Sequence, residues 1–325
     1  LIRPLLTIAI PTYNRAKTLK KSILNTLKYF DKNSMELLIS DNASTDETRE
    51  VVSQLQATYN FIKYFRKNTN TGFDGNFLNC FNKANGKYLL ILSDDDFLLP
   101  GSIESILTAL EKEPTFMHLN SSSLLNSDRI MSSTPRFPDS ELKIYTDKNR
   151  FIQDVGIYVT FLSSLVFNVD LVRNITNKQQ YMGSSILQAH VAFETMRNDG
   201  NYIINTFNCI AATGNNVISY DLYEVWVFQL KKLFLETAVK CGFEYNKMEN
   251  LYCCELKTTV YDFVLKFRYT CSNSNSWNQD FLWKSISEYK SIEKKYRIAV
   301  SCPKLFLPFL IKHNFLAKKY NKKSK

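Results

Sequence analysis

Three adjacent carboxylates, Asp94, Asp95 and Asp96, follow the apolar run Tyr88–Leu92. Like charges held this close repel, so the triplet calls for a counter-charge. Hard carboxylate oxygens suit Mg2+ or Mn2+, and such an ion could also hold a diphosphate and stabilise it as a leaving group. The plain alternative is a solvated acidic turn capping the helix that Pro100–Gly101 opens. Two more polar clusters close apolar runs: Pro11–Asn14 after Leu5–Ile10, and Asp41–Asn42 after Glu36–Ser40. Further on, His190 and Glu194 are four residues apart, hence on one face of a helix, where the carboxylate can orient the imidazole or raise its pKa.

The elements around these clusters alternate. Leu19, Ile23, Leu24 and Leu27 recur at helical spacing between the first two apolar runs. Thr45–Asp46–Glu47 supplies an N-cap and first-turn carboxylates for a helix through Val51, Val52 and Leu55. Phe61–Phe65 reads as a third strand, Phe77, Phe81 and Ala84 as a helix, Tyr88–Leu92 as a buried fourth strand, and Ile103 to Leu110 as another helix. Strands alternating with helices of this length predict a mostly parallel α/β sheet with right-handed crossovers. Ligands of such sheets sit at the carboxyl ends of the strands, where all three polar clusters fall.

The alternation stops at 121–160, which is rich in Ser, Thr, Pro and Asp, as an acceptor-side insertion or lid would be. Ser184–Arg197 reads as a helix and Tyr202–Phe207 as a strand. Gly214–Asn215–Asn216 marks a boundary, so 1–214 is expected to be one domain and 215–325 a helical region.

The ordered set Ile8–Asn14, Leu38–Asp46 and Leu92–Gly101 resembles the family 2 glycosyltransferases, which have the GT-A fold and invert the anomeric carbon. The resemblance covers roughly residues 5–120 and weakens towards 207. It implies that Pro11, Thr12 and Asn14 line a nucleotide pocket and that Asp41 accepts the N3–H of a uracil-like base. It also implies that Asp94 lies near the ribose and that Asp95 or Asp96 binds Mn2+ or Mg2+ in an Asp-X-Asp motif, while Lys67, with Arg66, either helps to neutralise the diphosphate or is a solvated basic residue after a strand. The family's commoner form has an acid where Ser93 stands, which leaves the register of the motif open by one residue.

An inverting transfer needs a group that deprotonates the acceptor hydroxyl. The family usually supplies it from a Glu-Asp pair about eleven residues before a Gly that precedes the next strand. Counting back from Gly200 gives Ala189–His190 and no acidic pair. His190 therefore falls at the base position, Glu194 is the next candidate, and Asp199 or a residue of the insertion stays open. A buried structural histidine is the plain alternative.

Composition sets the frame. The chain has 325 residues, 45% apolar and 22% charged, the make-up of a globular protein. From Lys290 onward eleven Lys/Arg face Glu293 alone, a charge of +10 that equals the net charge of the whole chain. A neutral body with a basic end predicts an anionic surface rather than nucleic acid as partner. In that end, apolar Leu305–Ile311 and Phe315–Leu316 are framed by Lys304, Lys312, Lys318, Lys319, Lys322, Lys323 and Lys325, the pattern of a segment that lies on an anionic membrane or, equally, of a solvated end or a docked helix with its lysines in water. No apolar stretch approaches the ~20 residues of a membrane span. The run at Leu5–Ile10 leads into Pro11 without a cleavage site, so no secretory leader is expected there. Seven cysteines without a C-x-x-C pair predict free thiols in a reducing compartment. Dinucleotide, P-loop, G-x-S-x-G and zinc signatures are all missing from the sequence.

The expectation is a cytoplasmic glycosyltransferase, peripheral on the inner face of the plasma membrane. It would move a sugar from a nucleotide-diphosphate donor, UDP in the first place, to a glycan or lipid-linked saccharide of a bacterial surface polysaccharide. The rival is a non-catalytic nucleotide-sugar or glycan-binding module that has lost the base.

Overall fold

The structure, a computed structural model, describes residues 3–126, 131–138, 140–214, 220–271 and 277–314. It divides into two compact units, Leu1–Gly214 and Asn215–Lys325.

The first unit opens with β1 (Leu6–Thr12), α1 (Ala16–Leu27), β2 (Met35–Asp41), α2 (Thr48–Thr58), β3 (Lys63–Arg66), α3 (Gly72–Lys83) and β4 (Tyr88–Ile91). All seven residues of β2 and all four of β4 are buried, as strands covered on both faces are; the buried polar residues of β2, Glu36, Ser40 and Asp41, are hydrogen-bonded. In α1, Leu19, Ser22 and Ile23 turn inward while Lys17, Lys20 and Lys21 stay in water. β1 pairs in parallel with β2 on one side and β4 on the other, and β2 pairs in parallel with β3. The carboxyl ends of β1, β2 and β4 therefore lie side by side.

The chain continues through β5 (Phe97–Leu98), α4 (Ser102–Leu110), β6 (Phe116–Asn126), β7 (Met131–Ser132), β8 (Leu142–Tyr145), α5 (Lys148–Val155), β9 (Leu165–Asn168), α6 (Val169–Asn174), α7 (Leu187–Thr195) and β10 (Tyr202–Ala212). The sheet order is β3-β2-β1-β4-β9-β6-β10-β5, with β7 on β6 and β8 on β10. The first half is wholly parallel. In the second half β9 runs antiparallel to both β4 and β6, and β10 is parallel to β6 but antiparallel to β5 and β8. The sheet is thus mixed beyond β4.

Residues 121–160 hold more regular structure than their composition predicts. β6 runs on to Asn126, β8 adds an antiparallel partner to β10, and α5 buries Phe151, Ile152 and Val155. The polar side chains hid this, since Asn120 is buried with its amide donating to the carbonyls of Thr206 and Phe137 (2.6 and 2.8 Å). His118 on the same strand is buried against the Ser164 hydroxyl at 3.1 Å, and burial lowers its pKa to about 3.

The second unit is helical, with Tyr245–Lys257, Thr259–Thr270, Gln279–Ile286 and Lys290–Ser301 as its longest regular helices. Its core takes whole tyrosines because their hydroxyls find carbonyls: Tyr252 donates to Val227 at 3.2 Å and Tyr296 to Leu256 at 2.8 Å. No helix among the described residues is long and apolar enough to cross a membrane.

Candidate functional site: a cavity at three strand ends

The end of β1 meets the acidic loop through the Thr12 hydroxyl, which donates to Asp94 Oδ2 at 2.7 Å. The end of β2 holds the other wall. The Asn42 N–H donates to the Thr12 carbonyl (3.0 Å), and its side-chain amide donates to Asn70 Oδ1 (2.7 Å) and the Gly72 carbonyl (3.0 Å). The Asn42 side-chain oxygen accepts the Thr71 N–H at 3.0 Å, so one side chain fixes the whole turn ahead of α3. Ala43 follows at φ 67, a left-handed backbone that costs a non-glycine residue ~1–2 kcal/mol. That kink leaves the Ser44 N–H to donate to Asp41 at 2.9 Å.

These contacts enclose a cavity of about 300 Å3. The β1 end contributes Pro11, Thr12, Tyr13 and Arg15, and β2 contributes Asn42. The turn and first residues of α3 add Asn70, Gly72, Phe73 and Asn76, while Ser93, Asp94 and Leu162 complete the lining. Tyr13 and Phe73 keep large aromatic surfaces in water, 41% and 46% exposed. Tyr13, Arg15, Phe73, Asn76 and Leu162 escaped the sequence reading. Tyr13 lay inside a quoted motif, and Arg15 directly followed it.

All six carboxylate oxygens of the triplet are taken by protein donors. Asp94 Oδ1 and Asp95 Oδ2 share the Arg15 guanidinium, at 2.8 and 2.6 Å. Asp94 Oδ2 has Thr12, and Asp95 Oδ1 accepts from the Ser93 hydroxyl at 2.7 Å. Asp96 has other partners: Oδ2 accepts from the Ser163 hydroxyl (2.6 Å) and Oδ1 from the Thr213 N–H (2.8 Å). Burial pushes the Asp94 carboxyl up to about 6 against the pull of Arg15 and Thr12, and the Asp96 carboxyl up to about 7 against Ser163.

The oxygen donor set has the right chemistry for Mg2+ or Mn2+, but its arrangement does not fit one. The carboxylates of the expected ligands Asp95 and Asp96 share no donor group. The carboxylates that do converge, those of Asp94 and Asp95, converge on a guanidinium. Among the described residues no group of three or more His, Cys, Asp or Glu is placed to hold a metal.

Other expected donor residues are structural neighbours of the cavity. Asp41 is fully buried, its second oxygen accepting from the Tyr64 hydroxyl at 2.5 Å, with Arg66 Nε at 3.5 Å. Asn14 Oδ1 accepts the Thr45 N–H (2.7 Å), joining the loops after β1 and β2. Lys67 donates to the Thr71 hydroxyl (2.7 Å) and the Gly75 carbonyl (3.1 Å), which braces the start of α3.

His190 and Glu194 lie together on α7, a helix buried at nearly every position. The His190 ring stacks on Tyr181, with centroids 4.5 Å apart and planes 10° from parallel. The Tyr181 hydroxyl donates to Glu194 Oε1 at 2.6 Å, and Arg197 pairs with Oε2 at 2.8 Å. The structure therefore brings the two candidates to one aromatic side chain, and neither lines the cavity. Just ahead of α7, the Gly183 N–H donates to Asp74 of α3 at 2.7 Å.

A sheet with a polar cavity at the carboxyl ends of its leading parallel strands has the α/β arrangement in which ligands bind at those ends. Residues 7–175, just over half of the chain, match the profile of "Glycosyl transferase family 2", and the chain belongs to that family. The abequosyltransferase RfbV of Salmonella typhimurium is 30% identical over 209 residues, 60% of this chain and 62% of that protein. The GalNAc(5)-diNAcBac-PP-undecaprenol beta-1,3-glucosyltransferase of Campylobacter jejuni is 36% identical over 105 residues, 32% of this chain and 34% of that one. The matched region is thus less than two thirds of the length of either relative. Among solved structures, S. aureus TarS 1-349 in complex with UDP-GlcNAc superposes with a TM-score of 0.61 at 14% identity, over 90% of this chain and 91% of TarS. The mannosyltransferase PcManGT of Pyrobaculum calidifontis, in complex with GDP-Man and Mn2+, gives 0.56 at 13% identity, over 100% and 88%. At such identity the likeness concerns the fold alone.

Proposed function

We propose that this chain is an inverting glycosyltransferase. It moves a sugar from a nucleotide-diphosphate donor to a hydroxyl of a glycan or lipid-linked saccharide during synthesis of a bacterial surface polysaccharide. The observation that carries the reading is the cavity at the ends of β1, β2 and β4, walled by Thr12, Asn42 and Asp94, in a family 2 chain. The exposed rings of Tyr13 and Phe73 offer stacking faces for a nucleobase, and UDP is the first candidate donor. Asn42 and Asn70 shape the cavity wall by fixing the turn ahead of α3, and Arg15 lines it while paired with Asp94 and Asp95.

In the reaction the acceptor oxygen attacks the anomeric carbon as the bond from that carbon to the β-phosphate oxygen breaks. The nucleoside diphosphate leaves with the bonding pair, and the acceptor proton passes to a base. His190 is the proposed base, because Glu194 already carries Arg197 and Tyr181. Catalysis then comes from positioning, charge neutralisation and proton removal. No step is routed through a divalent ion, since Asp94 and Asp95 are engaged with Arg15 and Asp96 with Ser163 and Thr213.

The segment 304–314 supports attachment to an anionic membrane surface. Leu305, Phe306 and Phe309 are 78%, 53% and 71% exposed, on a stretch that also holds Lys304 and Lys312. The lysines from 318 on lie outside the described residues. A cytoplasmic enzyme peripheral on the inner membrane face follows from that reading.

The test is calorimetric binding of UDP, GDP, CDP and dTDP to the full chain and to Asn42→Ala, followed by nucleotide release from the matching sugar donors. Binding of one diphosphate, weakened in the variant, supports the reading. If none of the four binds at millimolar concentration, the transferase reading fails and the non-catalytic module takes its place.

A further inference from the structure

The acidic loop and the residue that neutralises it are about 80 positions apart in sequence, and their meeting is a product of the fold. Because β1 and β4 are parallel neighbours, the residue that follows the β1 loop faces the loop that follows β4. Arg15 stands there, at the start of α1, and bridges Asp94 Oδ1 and Asp95 Oδ2 with its two terminal nitrogens at 2.8 and 2.6 Å. Its side chain is 39% exposed and contributes to the cavity wall, whereas those of Asp94 and Asp95 are only 4% and 11% exposed. A planar guanidinium matches two carboxylate oxygens better than an ammonium does and cannot lose its proton at ordinary pH.

We propose that Arg15 is the resident counter-cation of the acidic motif, occupying the place between Asp94 and Asp95 that a divalent ion would take, so that arginine and ion exclude one another there. A divalent ion can bind these oxygens only when the guanidinium has left, and each carboxylate it gains is one that Arg15 loses. The chain thus differs in its starting state from a site in which acidic residues wait for a metal. The remaining oxygens do not offer an alternative seat, because Thr12 and Ser93 hold the other sides of Asp94 and Asp95 and Asp96 is bonded to Ser163 and Thr213.

The proposal deepens the donor-site reading, but its test involves neither nucleotide nor acceptor, so either can fail without the other. Free Mn2+ is titrated by electron paramagnetic resonance against the full chain, R15Q, R15K and the double variant R15Q/D95N. R15Q is expected to bind Mn2+ at least about tenfold tighter than the natural chain, about 1.4 kcal/mol. In the double variant the gain disappears. Equal affinity of the natural chain and R15Q, or a gain that survives D95N, overturns the proposal. Should circular dichroism show that R15Q does not fold, R15K decides. A lysine ammonium cannot bridge both carboxylates as the fork does, so Mn2+ affinity is expected to rise at least about threefold. An unchanged affinity in R15K overturns the proposal.

Discussion

Asp95 and Asp96 are neighbours in sequence, yet their removal should have unequal consequences for stability. Asp96 is 3% exposed, and its carboxylate accepts the Ser163 hydroxyl and the Thr213 N–H. Ser163 in turn accepts the Ser93 N–H at 3.0 Å, so the carboxylate anchors a chain of bonds from the end of β10 to the acidic loop. Asp96→Ala leaves the buried Ser163 hydroxyl without an acceptor at ~1–3 kcal/mol and the half-buried Thr213 N–H at less, so ~1–4 kcal/mol of stability is expected to go. Urea unfolding of a unit this size has a slope of ~2–3 kcal/mol per M, which turns the loss into a midpoint lower by ~0.3–2 M. Asp95→Ala frees the Ser93 hydroxyl and the half-exposed Arg15 head, both within reach of water, and should cost less than ~1 kcal/mol. The assay is far-UV circular dichroism, since Trp226, Trp277 and Trp283 all belong to the second unit and tryptophan fluorescence would read that unit instead. A loss below 1 kcal/mol in Asp96→Ala, or an equal loss in both variants, would refute the assignment of Asp96 to structure rather than to the ligand site.

Two further outcomes follow from single side chains. Asn42→Ala removes the four side-chain bonds that hold the turn 70–72; since that turn faces water, stability should fall by only ~1–2 kcal/mol. Nucleotide affinity, measured by calorimetry, should fall about tenfold or more because the cavity wall loses its position. Glu36 is buried, and its carboxylate accepts bonds from Asn85 (N–H and amide, both 2.8 Å), Thr7 (2.6 Å) and the Lys63 ammonium. Burial pushes its pKa up, these donors outweigh burial, and the net shift is downward. A lowered folded pKa means that this stabilisation is complete above the ordinary value near ~4.5 and is lost as pH falls through the lowered one. Thermal midpoints of the natural chain should therefore drop more steeply between pH 5 and 3 (a range of roughly two units around that pKa) than those of Glu36→Gln. Parallel curves would show that Glu36 contributes nothing to acid sensitivity.

Much of the first unit was legible because its signals are local. β1 to β4 and the helices between them announce themselves by short apolar runs and by one-sided stripes such as Leu19 and Ile23, and these patterns need no distant partner. The three polar strand ends follow from the same reading, because parallel connection places them on one edge. The cysteine reading is local too, and none of the seven cysteines, all among the described residues, is in a disulfide. What the sequence could not determine depends on which strands become neighbours. β6 carries Ser and Asn at positions that only pairing with β10 and bonds such as Asn120 to Thr206 make suitable for a strand. α7 is buried on nearly all sides, so its sequence shows no stripe and gives no hint that Tyr181 stacks on His190 and ties up Glu194. Arg15 reads in the sequence as one more basic residue at the start of a helix. Its charge acquires meaning only when β1 settles beside β4 and two carboxylates about 80 residues away arrive within hydrogen-bonding distance. Periodicity is written along the chain and can be read there, whereas an ion pair is a property of distance in space, which the completed fold alone supplies.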